Sequence, residues 1–334
     1  LNFPFLHGRR ISLAASALLA ALVAALLLSG CVTMPDEALF TEPSARFEST
    51  PSLYLRFSGG TLRDVAAAMT EDELSLLGQV LEPGTALAKN RIPVTTAGSR
   101  SGQAAMDRDL LDAFLERTWI FGAGLRGLGT ADPEMEAVLI GDFKPFTMRL
   151  ALAADGAWEK TSDGGYVSTR HSVNLRPLEP GFIHISSRSR PAGSRLLPVE
   201  AYPARFADLA SSDIFISAND PAVFFSGRMP LEASSLPVTA IVMNGQARET
   251  LVEGEQHYLL EVRLVMKDES TARAFRPIAR FLWSAAAASL FGGAIAPRAS
   301  PLNLEKDVYV AKDIEVSADD LKQMFFRTWL ASSR

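Results

Sequence analysis

The chain has little of what builds staples, metal centres or a basic surface. One cysteine in 334 residues excludes an intramolecular disulfide framework and any cysteine-cluster metal site. Of the four histidines, only His171, His184 and His257 lie beyond residue 30, and none falls in an H-x-x-H or H-x-x-x-H pattern. Zinc needs three or four convergent ligands, so no metal site and no cofactor are predicted. There is no positive excess either. The formal net charge is −5, with basic residues spread along the chain, which points away from nucleic acid as a partner. Apolar residues at 48% and charged residues at 21% are ordinary for a globular protein and exclude wholesale disorder. The length allows one large domain or two smaller ones, with a core that needs no covalent support.

What is present is concentrated at the front. Arg9-Arg10 is a short positive segment, and residues 11–28 carry no charge and are dominated by Ala and Leu. Ser29-Gly30-Cys31 follows at once. This is the layout of a secretory signal peptide. A spanning helix is the competing reading, since eighteen apolar residues are just long enough. The run ends, however, in a small-small-Cys triplet that holds the only cysteine of the chain.

Leu28-Ser29-Gly30-Cys31 resembles the lipobox of bacterial lipoproteins, both in residue type and in its place after the apolar run. The resemblance covers the first 31 residues. It implies that residues 1–30 are a lipoprotein signal peptide and that Cys31 is the lipidation site. A diacylglyceryl thioether would form on Cys31, cleavage would precede it, and the new amino group would usually be acylated. Two or more acyl chains anchor a protein stably, at about 0.8 kcal/mol per buried CH₂. In this family an Asp after the cysteine commonly retains the protein at the inner membrane; here the residue is Val32. The expected location is the cell envelope, lipid-anchored, with the outer membrane favoured over the inner. Loss of Arg9 and Arg10 leaves 31 basic against 38 acidic residues, a net of −7. Such a surface is mildly repelled by anionic headgroups, so the folded part is expected to work away from the bilayer rather than flat on it.

Pro35, Pro43 and Pro51 disfavour a continuous helix and predict an extended tether over residues 31–52. Folded structure is then expected from Leu53. A first half over 53–186 reads as strands at 53–57, 137–140, 166–170 and 182–186. Helices are expected after Thr61, at 72–81, at 107–121 and at 145–154. Residues 187–203, with three arginines and three prolines, are the best linker. A second half over 204–334 has strands at 213–217, 237–243, 258–266 and 308–311, a helix from about 270 to 290, and a last helix opened by Ser317. Both halves mix strands and helices, so the pattern allows two similar halves. Strands outnumber crossovers long enough for parallel pairing, which predicts an α+β fold of mostly antiparallel sheets with packed helices.

Several motifs compete for a functional reading. Gly122-Ala-Gly-Leu-Arg-Gly127 matches G-x-G-x-x-G, with Asp142 twenty residues after Gly122. A dinucleotide site needs a strand before the glycines and a helix after them. The pattern here predicts a preceding helix and leaves no room for a following one, so the glycines read as a helix end and turn. Gly98-Ser-Arg-Ser-Gly102 places Arg100 where a nucleophile elbow needs serine. His184 sits in the alternating run 182–186 and reads as a half-exposed strand histidine. Asp319-Asp320, with Asp313 and Glu315 upstream, reads as an acidic helix start explained by capping. Arg188, Arg190 and Arg195 read as solvated linker charge. Residues 278–296 carry Arg280 as their only charge. Gly292-Gly293 cuts the run to a helix of about fourteen residues that is apolar on nearly every side, a kind that is normally buried.

Three function classes follow. The first is a non-catalytic envelope lipoprotein with a binding or structural role, its partners being the membrane through Cys31 and an envelope protein or peptide. The second is a carrier or sensor of an apolar ligand, with the small residues at 285–288 leaving room beside a helix. The third is an exported hydrolase, for which no catalytic residue is assigned.

Overall fold

The computed structural model describes residues 42–70, 73, 115–127, 134–154, 156, 158–169, 173–177, 180–187, 199–221, 236–248, 256–291 and 301–324. Its twelve strands are β1 (Leu53–Ser58), β2 (Thr118–Arg126), β3 (Glu134–Gly141), β4 (Trp158–Lys160), β5 (Tyr166–Ser168), β6 (Asn174–Pro177), β7 (Phe182–Ser186), β8 (Ile214–Ala218), β9 (Val238–Arg248), β10 (His257–Met266), β11 (Asn303–Glu305) and β12 (Val308–Ser317). The main helices are α1 (Gly59–Ala67), α2 (Pro145–Ala154) and α3 (Glu269–Phe291). The strands form one antiparallel sheet in the order β11-β12-β10-β9-β8-β1-β2-β3-β7-β6-β5-β4. The expected α+β class with antiparallel pairing is the class observed.

The chain divides into two compact units. One holds residues 1–41, 69–119 and 139–195; the other holds 42–68, 120–138 and 196–334. This differs from the expected split into 53–186 and 204–334 about a linker at 187–203. The reason is β1. It hydrogen-bonds to β2 on one side and to β8 on the other, with Leu53 opposite Leu125 and Ala218. An N-terminal strand seated between these two belongs to the unit that contains β8.

In the first unit β7, β6, β5 and β4 make a meander. Helix α2 buries Met148 and Leu152 and leaves Phe146 and Leu150 exposed. It is tied down by Arg149, whose Nη2 donates to Pro177 O at 3.1 Å and whose carbonyl accepts from Tyr166 Oη at 3.1 Å. Gly141 ends β3 against the carbonyl of Arg117, 2.0 Å from where a Cβ would stand, so only glycine fits. Strands β4 and β6 were not expected; they are three and four residues long, too short to show a period.

In the second unit the alternation of β10 is clean. Tyr258, Leu260, Val262 and Leu264 are buried, whereas His257, Leu259, Glu261 and Arg263 are half-buried. Helix α1 starts earlier than expected. Ser58, not Thr61, is its N-cap, accepting from Thr61 N at 3.3 Å, and Gly59-Gly60 form its first turn. Its C-terminal carbonyl at Ala68 accepts from buried Lys322 at 2.9 Å, a cation where the helix dipole favours one. Helix α3 buries Ala272, Phe275, Ala279, Trp283 and Ala287, one stripe at helical spacing. Phe281 is 70% exposed and Ile278 45%, so this helix is amphipathic rather than buried all round. Among the described residues no helix is long and apolar enough to cross a membrane.

Candidate functional site

The expected tether does not run free up to residue 52. From Glu42 the chain folds onto the second unit. Pro43–Arg46 form a 3₁₀ turn, and Pro43, Ser44, Phe47 and Pro51 are buried. Prolines read in the sequence as extended spacers here fix the backbone of a docked strap.

The seat of the strap is built from two strands. Register pairs Tyr54 with Gly124 and Arg56 with Gly122, so these four residues share one face of β1 and β2. A Cβ on Gly122 would lie 2.3 Å from Cβ of Pro43, and one on Gly124 would lie 2.8 Å from the Phe47 ring and 3.1 Å from Pro51. The glycines are therefore present for close approach. Phe47 is fully buried and meets the Tyr54 ring edge-on, with centroids 5.6 Å apart. Tyr54 in turn stacks on Tyr202 at 5.8 Å, and Tyr202 packs edge-on against Phe215 at 4.9 Å.

Polar contacts close both ends. At the entry, the Glu42 carboxylate accepts a short hydrogen bond from Tyr54 Oη and lies 3.7 Å from Arg56 Nε. Arg56 Nη1 donates to Ser212 O at 2.6 Å. In the middle, Glu48 N donates to Glu136 Oε1 at 2.6 Å, while Arg126 pairs with Glu134 at 3.1 Å and with Glu136 at 3.5 Å. At the exit, Ser52 N donates to Leu125 O at 2.9 Å, and Asn219 Nδ2 donates to Pro51 O at 3.3 Å.

Burial pushes the Glu42 carboxyl above its usual range, against the opposing pull of Tyr54 and Arg56. Burial and the Glu42 charge push Tyr54 well above the usual phenol value, and Tyr202 up to about 12. Both phenols therefore keep their protons near neutral pH, and Tyr54 donates its hydrogen bond to Glu42. A carboxyl whose folded value is raised favours the folded state most at low pH, and that contribution is lost as pH rises through the folded value.

The residues singled out in the sequence fall as follows. Cys31 lies outside the described residues, as do Gly98–Gly102, His171 and Arg188, Arg190 and Arg195. Gly122 and Gly124 lie inside strand β2, not at a helix end, and Gly127 follows the strand with φ of 62°. Thr118–Phe121, expected as the end of a helix, are the start of that strand. Asp142 pairs with Arg117 at 3.9 Å, and its N–H donates to Arg117 O at 2.9 Å. His184 is buried on β7 rather than half-exposed, and lines a cavity of about 30 Å³ with Asp163, Arg176 and Ser186, room for about one water. His257 faces Glu315 at 3.3 Å on the outer face of the sheet. Glu315 and Asp313 belong to β12, not to a helix start, and Asp313 takes φ of 57° where β12 slips register against β10. Ser317 and Asp320 form the expected cap, with Asp320 N donating to Ser317 Oγ at 3.1 Å and Ser317 N to Asp320 Oδ2 at 2.9 Å. Of the alanines at 285–288, Ala287 is buried; the side chains at 285, 286 and 288 lie outside the description. Sequence reasoning missed the strap. The one available signal was the i, i+2 spacing of Gly122 and Gly124, which fits a strand surface as well as a phosphate loop.

Three crystal forms of a protein named TP0453 share this fold. Form III superposes with a TM-score of 0.54 over 85% of this chain and 98% of that chain. Form I gives 0.53 over 86% and 98%, and form IV 0.52 over 85% and 96%, each at 15% identity. At that identity the likeness establishes the fold alone. No protein-family model and no curated protein matches the chain.

Proposed function

We propose that the chain is a lipid-anchored lipoprotein of the bacterial cell envelope with a non-catalytic binding or structural role. The observation that carries this is Leu28-Ser29-Gly30-Cys31 at the end of an uncharged run that follows Arg9-Arg10. The fold supports it in one respect. The segment that leads away from Cys31 is received by a dedicated seat, Gly122 and Gly124, rather than left to solvent. The polar cluster of Glu42, Tyr54 and Arg56 helps to hold that segment. Cys31 would carry the diacylglyceryl group, and Val32 favours the outer membrane over the inner.

Metabolic labelling with palmitate tests the reading. Wild-type protein is expected to take up label, and Cys31→Ala is expected to accumulate as an unlabelled precursor. Undiminished label in the variant would remove the lipobox from the account.

A further inference from the structure

The strap has a consequence for reach. Ten residues, 32–41, separate Cys31 from Glu42, and twenty-one, 32–52, separate it from β1. A chain spans at most ~3.3–3.6 Å per residue whatever its conformation. With the strap seated, Cys31 and Glu42 stand at most about 36 Å apart; with it undone, Cys31 and the start of β1 could stand about 75 Å apart. We propose that the strap 42–52 is a permanent leash shortener, which holds Glu42, where the strap enters its seat, within about 36 Å of the lipid-bearing Cys31. This rests on the lipoprotein reading and adds where the protein can act: at partners on or near its own membrane surface.

Three features make the docking constitutive. Glycine weakens a strand interior, yet two stand at alternate positions of β2, both where Pro43, Phe47 and Pro51 leave no space for a Cβ. Neither takes a positive φ, so backbone freedom is not their purpose. Pro43 and Pro51 lower the entropy lost when the strap docks, and Phe47 has no exposed surface.

The test uses the full lipidated chain in phosphatidylethanolamine–phosphatidylglycerol vesicles. Since Cys31 is the only native cysteine, Gln246→Cys at an exposed position takes a single donor dye, with an acceptor dye on the lipid. Gly122→Val, which unseats Pro43, is expected to lower energy transfer. An insertion of ten Gly/Ser residues after Thr41 leaves the seat intact and is expected to do the same. Trypsin is expected to cut after Arg46 at least tenfold faster in Gly122→Val than in wild type. Equal cutting at Arg46 in wild type and variant, or a loss of transfer on insertion but none on unseating, overturns the strap. Failure of the wild-type chain to stay on vesicles, with Arg46 still protected, overturns the lipid anchor and with it the leash, while leaving the docking itself intact.

Discussion

Gly122 shows how one residue type can serve incompatible purposes. In sequence it opens a G-x-G-x-x-G string; in the structure it is a strand residue whose missing Cβ admits Pro43. Gly122→Ala is expected to overpack this contact and destabilise the protein by roughly 1–3 kcal/mol in urea unfolding. The same change in a mobile turn would cost almost nothing, so the measurement separates the two readings. From the other side of the interface, Phe47→Ala removes a fully buried ring and is expected to cost about 3–5 kcal/mol. Tyr54 and Arg56 were equally hard to assign beforehand. Their strand was readable from its alternation, but nothing in LYLRF says that one face would receive a segment from twelve residues upstream.

The elements differ in how openly their sequences declare them. Strands β1, β7, β8 and β10 and helices α2 and α3 follow from the spacing of their apolar residues. Strand β2 was hidden, since Thr118 to Arg126 contains two glycines and follows a run with helical spacing. Long-range pairing overrode the local pattern there. Helix α3 carries Pro277 in its interior, which removes one backbone donor, and is preceded by Asp268. The Asp268 carboxylate accepts from Thr271 N at 2.7 Å, and that bond holds its pKa down to about 2. Because the folded value is lowered, the contribution is fully present above the ordinary value of 3.8 and is lost as pH falls through about 2. Asp268→Ala is expected to lower the melting temperature at pH 5–7, and the gap to wild type should close below about pH 2. A gap independent of pH would show that the carboxylate is not the cap.

For the whole molecule, the interleaving of the two units changes what a cut should do. Residues 187–203, with their arginines and prolines, are the expected site of limited proteolysis. The N-terminal fragment would carry β1 and the C-terminal fragment β8, and these are joined along five residue pairs, from Leu53 with Ala218 to Phe57 with Ile214. The nicked halves are therefore expected to co-elute on gel filtration and to separate only in denaturant. Independent native fragments would restore the contiguous two-domain division that the sequence alone suggested. The central claim, a lipid on Cys31 at a leash ending in the strap, is tested most directly by mass spectrometry of membrane-extracted protein. No Lys or Arg lies between Cys31 and Arg46, so a tryptic digest of the unfolded chain isolates residues 31–46 as one peptide. The account predicts that this peptide begins at Cys31 and carries the mass of a diacylglyceryl group, with or without a further acyl chain. An unmodified Cys31, or a peptide that still includes Ser29-Gly30, would contradict it.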